Sequence, residues 1–269
     1  MSKTIRESGY APINGLNAYF EIHGEGGVPL LLLHGSIGSL DMFRRLVPAL
    51  TQGRQVIAFD QQAHGRTADI DRPLRYPQLA DDAAALLDFL GIDRADVFGF
   101  SMGAAAGWQL AMRHPSKVRK LIGGVSFAND GIYPEVFAGL ETAFTPEAFA
   151  GSPIEADYLR LAPNPDDWPT LVSKVQDLTR TAETWPVEDI RVMTAPTMIL
   201  IGDSDIIRPE HAVELFRLRG GGVPGDFVGL PASQLAILPG TTHAMLIERT
   251  DWLGSMIPDF LDAPMPATA

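Results

Sequence analysis

Short, almost uninterrupted apolar runs alternate along this chain with segments of helical periodicity, and that alternation leaves few folds open to it. The runs are Val28 to Leu33, Gln55 to Phe59, Asp96 to Phe100, Lys120 to Val125, Thr197 to Ile201 and Gln234 to Leu238. A strand with one wet face alternates apolar and polar residues, whereas continuous apolarity means burial on both faces, as in a parallel sheet covered by helices. Between the runs, Leu79, Ala83, Leu86, Leu87 and Leu90 fall on one helical face, with Gly91 placed to end the helix. A second helix is expected from Met102 to His114, stopped by Pro115. Parallel strands joined through helices require right-handed crossovers, so the expected architecture is α/β, a doubly wound, mostly parallel sheet. Asn14-Gly15 before Leu16 to His23 predicts an antiparallel hairpin at one edge.

The alternation breaks between Asn129 and Asp189, where helical stretches (Glu135 to Leu140, Pro146 to Phe149, Trp168 to Arg180) gather with prolines and aromatics and no strand stands out. The expected division is a core of residues 1–128 and 190–269 with a helical insertion, 129–189, lying over the sheet. At 269 residues and 46% hydrophobic, the chain can bury such a core without cross-links. It has no cysteine, which removes disulfides, thiol nucleophiles and Cys-ligated metals together. No H-E-x-x-H occurs and the histidine spacings lack a ligand pattern, so neither a metal nor another cofactor is expected.

Gly99-Phe100-Ser101-Met102-Gly103 is a G-x-S-x-G between an expected strand and an expected helix. At this composition chance alone produces the pattern in about one chain in ten. Its position gives it mechanical meaning, because a sharp strand-to-helix turn lifts the serine hydroxyl above the sheet and flanking glycines permit the close approach. A serine hydroxyl is a weak nucleophile at neutral pH and needs an imidazole to take its proton, and the imidazole needs a carboxylate to hold its tautomer.

With Leu31-Leu32-Leu33-His34-Gly35-Ser36, Asp60-Gln61-Gln62-Ala63-His64-Gly65-Arg66-Thr67, Gly202-Asp203-Ser204-Asp205 before Pro209, and Gly240-Thr241-Thr242-His243, the chain resembles the α/β-hydrolase superfamily. More narrowly it is similar to the small serine esterases and lactonases that carry a helical cap. The resemblance covers nearly the whole chain and departs from many relatives at Ala63, where they have glycine. It implies the order serine, acid, histidine, and so a catalytic set of Ser101, Asp205 and His243. Asp203 competes for the acid's place but directly follows Gly202 and suits the turn, while relatives place the acid a few residues before a proline, as Asp205 stands before Pro209. An acid after the preceding strand is disfavoured, because Gly123 to Phe127 holds no carboxylate before Asp130. The backbone amides of Ser36 and Met102 are the expected oxyanion donors.

The other histidines read as structural: His34 and His64 as loop scaffolding, His114 at a helix C-terminus, His211 as a solvated helix residue, His23 at the hairpin edge. The insertion brings Tyr133, Phe137, Phe144, Phe149, Tyr158, Trp168 and Trp185, two or three of which are expected to face substrate; Trp168 and Trp185, with Ile37 and Phe127, are the candidate substrate-binding residues. A serine nucleophile argues against the dehalogenase and epoxide-hydrolase branches, which use aspartate there. The expected activity is hydrolysis of small to medium neutral carboxylic esters. A lactonase, a carbon-carbon bond hydrolase, a perhydrolase and a ligand-binding receptor that keeps the fold are the alternatives.

The net charge is −12, which opposes nucleic-acid and anionic-membrane binding. It is unevenly spread: residues 129–189 hold 12 acidic groups against Arg160, Lys174 and Arg180, a net −9, and the rest of the chain is only −3. A negative mouth would disfavour anionic substrates. The N-terminus lacks the apolar core of a secretory signal. The expectation is a cytoplasmic monomer or homodimer whose partner is a small-molecule ester or lactone.

Overall fold

The computed structural model describes residues 5–123 and 131–265. In chain order the elements are β1 (Ile5–Ile13), β2 (Leu16–His23), β3 (Leu30–Leu33), α1 (Val47–Leu50), β4 (Val56–Phe59), α2 (Tyr76–Phe89), β5 (Ala95–Gly99), α3 (Met102–Arg113) and β6 (Val118–Gly123). Then come α4 (Pro134–Ala143), α5 (Pro153–Leu161), α6 (Trp168–Thr181), α7 (Val187–Arg191), β7 (Thr197–Ser204), α8 (Pro209–Leu218), α9 (Gly225–Val228), β8 (Ser233–Thr242), α10 (His243–Leu246) and α11 (Thr250–Asp262). The strands form one eight-stranded sheet in the order β1-β2-β4-β3-β5-β6-β7-β8, and each expected apolar run overlaps one of its strands, the run from Lys120 as far as Gly123, beyond which it lies outside the described residues. The pairs β1/β2 and β2/β4 are antiparallel and the others parallel.

Continuous apolar runs are needed because both faces are covered. In β3, Leu31 and Leu33 pack into one core layer and Leu30 and Leu32 into the other, and all four are fully buried. Burying each such side chain contributes roughly 1.5–3 kcal/mol. β4 divides in the same way, Ile57 and Phe59 to the first layer and Val56 and Ala58 to the second. The first layer takes α2 and α3; the second takes α1 and α11. The hairpin turns on Asn14 (φ 45) and Gly15 (φ 84), the left-handed pair that a two-residue turn requires.

Helices α4 to α7 lie between β6 and β7, and α5, which the periodicity did not reveal, is among them. Polar ties hold this segment to the sheet side. Lys174 donates to the carbonyls of Ile70 (2.8 Å) and Arg72 (2.9 Å) and pairs with Asp69, while Arg75 pairs with Asp177 at 2.8 Å. No helix among the described residues is long and apolar enough to cross a membrane.

Candidate active site

The sheet directs the C-terminal ends of β5, β7 and β8 toward one place. Ser101 follows β5 and precedes α3 with φ 55 and ψ −119, a conformation that costs a non-glycine residue of order 1–3 kcal/mol. Its neighbours must be glycine. A Cβ on Gly99 would stand 2.2 Å from the Gly103 carbonyl oxygen, and one on Gly103 would stand 2.1 Å from that of Leu33. Helix and strands touch backbone to backbone here, and the serine hydroxyl is pushed out above the sheet.

His243 begins α10, whose first turn is capped by the Thr242 hydroxyl, and its ring stacks on Phe100 with centroids 5.0 Å apart. Its Nε2 lies 3.0 Å from the Ser101 Oγ and its Nδ1 2.8 Å from Asp205 Oδ1. Since a carboxylate only accepts, Nδ1 carries the proton and Nε2 is free to accept from the serine. Asp205 also accepts from the amides of Ile207 (3.1 Å) and Gly202 (3.3 Å). Burial by itself would raise its carboxyl pKa, but the hydrogen bond and charge of His243, together with those two amides, hold it below the ordinary value. It stays ionised. Asp203 is exposed and accepts instead from the amides of Gly240 (3.0 Å) and Thr241 (3.1 Å), pinning the loop that leads to His243.

The amides of Ser36 and Met102 donate no hydrogen bond among the described residues, and both residues border the same cavity as Ser101. The loop carrying Ser36 is held from below. Gln61 donates its amide to His34 Nε2 (3.0 Å), so His34 Nδ1 is the donor to the Gly35 carbonyl (2.8 Å). Burial lowers the His34 pKa to about 4, and burial with the neighbouring His34 ring lowers that of His64 to about 3, so both rings are neutral. Asp60 accepts from the amides of Leu40 (2.7 Å) and Arg66 (2.8 Å) and pairs with the Arg66 guanidinium; burial pushes its carboxyl up to about 6 against these contacts.

The cavity holds about 610 Å³ and is bordered by Ser101, His243, Ile37 and apolar groups from the helical segment and the β7 loop, including Leu140, Phe144, Phe149, Ile154, Ile206 and Ile207. Among the described residues no Asp, Glu, Lys or Arg borders it. Ile37 is on the wall as expected, with φ 50. Trp168 and Trp185 are not. Trp168 is 4% exposed and packs between Phe149 and Tyr158, and Trp185 is 6% exposed and meets Tyr76 edge to face. These two indoles are used in the internal packing of the helical layer, and the lining falls to neighbours such as Phe144 and Phe149. Phe127 lies outside the described residues. His211, expected to be solvated, is 2% exposed beneath the backbone of Gly131. Tyr76 and Thr179 are wall residues that sequence reasoning missed, because each comes from a helix whose pattern only marks a packing face. Among the described residues no group of three His, Asp or Glu side chains is arranged to hold a metal ion.

A mostly parallel sheet in which a serine turn, a carboxylate loop and a histidine loop follow β5, β7 and β8 is the architecture of the α/β-hydrolase fold. A family profile described as the alpha/beta hydrolase fold matches residues 28–136. A poly(3-hydroxyalkanoate) depolymerase from Ectopseudomonas oleovorans is 26% identical over 251 residues, 87% of this chain and 84% of that protein. The acetyltransferase component of the acetoin cleaving system of Pseudomonas putida is 40% identical over 103 residues; that match takes in 38% of this chain and only 28% of the relative. Among solved structures, an enol-lactonase from Burkholderia xenovorans LB400 superposes with a TM-score of 0.71 at 22% identity, covering 94% of this chain and 100% of its own. The fold of the chain is that of the α/β hydrolases, and residues 28–136 match the profile of that family.

Proposed function

We propose that this chain is a serine hydrolase that cleaves neutral carboxylic esters, lactones among them, through an acyl-enzyme on Ser101. The observation that carries the proposal is the unbroken series Ser101 Oγ, His243 Nε2 (3.0 Å), His243 Nδ1, Asp205 Oδ1 (2.8 Å). As Ser101 attacks the ester carbonyl, His243 takes its proton at Nε2, and ionised Asp205 stabilises the imidazolium. The negative oxygen of the tetrahedral intermediate meets the amides of Ser36 and Met102, the latter at the N-terminus of α3, where the helix dipole adds to the stabilisation. His243 returns the proton to the leaving alcohol, then draws one from the water that releases the acid.

The helical segment, residues 129–189, acts in this reading as a cap that roofs the acyl pocket over the core. Neutral substrates fit the wall, where among the described residues a carboxylate would find no cation and an ammonium no anion. An ester in a ring is the same chemistry, and the poly(3-hydroxyalkanoate) depolymerase relative supports ester cleavage. The test is steady-state turnover of p-nitrophenyl butyrate. We expect Ser101→Ala to lose at least about 10³-fold in kcat. Undiminished turnover in that variant overturns the assignment, and a single stoichiometric burst without turnover in the wild type assigns the chain to the receptor class instead.

A further inference from the structure

Besides Ser36, Ser101 and His243, two polar side chains among the described residues border the cavity: Tyr76, the first residue of α2, and Thr179 in α6. They come from opposite sides of the seam between the sheet domain and the inserted helices. The Tyr76 ring is held by Trp185, at 6.5 Å and 89°. Its hydroxyl has neither a hydrogen-bond partner nor a charged neighbour among the described residues, and burial alone pushes its pKa up to about 12. The Thr179 hydroxyl donates to the Val175 carbonyl at 3.0 Å and so offers only its lone pairs to the cavity.

An unpartnered phenol on a protein-walled cavity stands out in this site, where Ser101, His243 and Asp205 are all engaged. Tyr76 is only partly buried, so its ring reaches the cavity, and a donor left open on the wall of a binding cavity is accounted for by what enters it. The described residues of the wall supply no charge, so the complement of Tyr76 is an uncharged oxygen. The scissile carbonyl does not serve, since the Ser36 and Met102 amides already address it in the reading above. We infer that Tyr76 donates a hydrogen bond to a second oxygen of the substrate, so that the preferred substrates are esters or lactones carrying a hydroxyl or carbonyl group in addition to the ester. Thr179 accepts from that group where it is a hydroxyl. An alkanoate without the extra oxygen leaves the Tyr76 donor unpaired, and sites built to bond a polar group discriminate against analogues that lack it.

The inference rests on the hydrolase reading for its substrate class, and a binding measurement separates the two. Methyl hexanoate and methyl 3-hydroxyhexanoate are titrated into the Ser101→Ala protein, which cannot turn them over by the proposed route, with tryptophan fluorescence or calorimetry as the readout. A purely apolar wall would bind hexanoate better, so the sign of the preference is decisive. We expect the hydroxy ester to bind about tenfold more tightly, and the ratio to fall to about one or below when Tyr76→Phe is added. Thermal melting of Tyr76→Phe should match the wild type, because no internal hydrogen bond is lost. Equal or weaker binding of the hydroxy ester to Ser101→Ala overturns the inference without recourse to the second variant, as does a preference that survives in Tyr76→Phe. If the binding preference holds but the wild type hydrolyses neither ester, the hydrolase reading fails and the Tyr76 subsite stands; Ser101-dependent hydrolysis without the preference is the reverse.

Discussion

Replacing Asp205 by asparagine keeps the shape of the site and removes one charge, so its consequence can be worked from the contacts. Asp205 Oδ1 faces two donors, His243 Nδ1 (2.8 Å) and the Ile207 amide (3.1 Å), and Oδ2 faces a third, the Gly202 amide at 3.3 Å. An asparagine presents only one acceptor. With its oxygen at the Oδ1 position, its NH₂ opposes the Gly202 amide, donor against donor, at a cost of about 1–3 kcal/mol. Flipped, the NH₂ meets Nδ1 and forces the proton to Nε2, where the ring no longer accepts from Ser101. In either orientation the imidazolium loses an anion about 4 Å away, worth about 4 kcal/mol at an effective dielectric of about 20, or roughly three decades in rate. The wrong tautomer adds to this, so kcat/KM for p-nitrophenyl butyrate should fall about 10³ to 10⁴-fold. Asp203→Asn is the control: it is exposed, accepts from the amides of Gly240 and Thr241 and from the Ser204 hydroxyl (3.3 Å) but makes no contact with His243, and should cost less than about tenfold. Urea unfolding of both variants separates catalytic loss from instability. An Asp205→Asn enzyme within tenfold of the wild type, or an Asp203→Asn enzyme as impaired as Asp205→Asn, refutes the reasoning.

Two further outcomes follow from the packing and the buried titratable groups. Gly103→Ala puts a methyl group 2.1 Å from the Leu33 carbonyl oxygen and 2.6 Å from that of His34, backbone on both sides, so a loss of at least about 4 kcal/mol is expected; a melting temperature within about 2 °C of the wild type would show that the turn can relax. For pH, His34 and His64 have folded pKa values depressed to about 4 and about 3, below the unfolded value near 6.5, so the unfolded chain binds the extra protons and stability falls as pH drops through 6 to 5. Each histidine contributes a slope of about 1.4 kcal/mol per pH unit, and Asp60, raised to about 6, offsets about one of them by taking up a proton in the folded state. Urea unfolding of His64→Gln between pH 6 and 5 should show a shallower dependence than the wild type, and an equal slope would mean that His64 takes no part.

Much of this site is legible in the chain because its constraints are local. The strand-turn-helix at Gly99 to Gly103 leaves a serine one conformation, and glycines on both sides mark where backbones must touch. The choice of Asp205 over Asp203 rested on its place before Pro209, and the hydrogen bonds divide the two carboxylates in the same way, Asp205 to His243 and Asp203 to the loop amides. The wall of the cavity was far less legible. Trp168 and Phe149 are both aromatic, both within the insertion and in contact, yet only Phe149 borders the cavity. Which side of a small helical layer a ring faces depends on how α4, α5 and α6 pack, and that is not written in any one helix.

The alternation of apolar runs by itself determined the doubly wound sheet, because a strand covered on both faces has no polar face to show and its helices must return over it. The G-x-S-x-G turn in that frame determined where a nucleophile could stand. Only the tertiary structure decided what long-range contact supplies. It set His243 and Asp205 in line with a serine more than a hundred residues away, buried His211, and placed Lys120, which reads as one more strand residue, where it donates to the carbonyls of Phe260 and Ala263 at the end of α11. It also left the Tyr76 hydroxyl without a partner among the described residues, where α2 meets the inserted helices. Periodicity reports which face of an element is buried, and the neighbour that buries it is chosen by the packing of the whole chain.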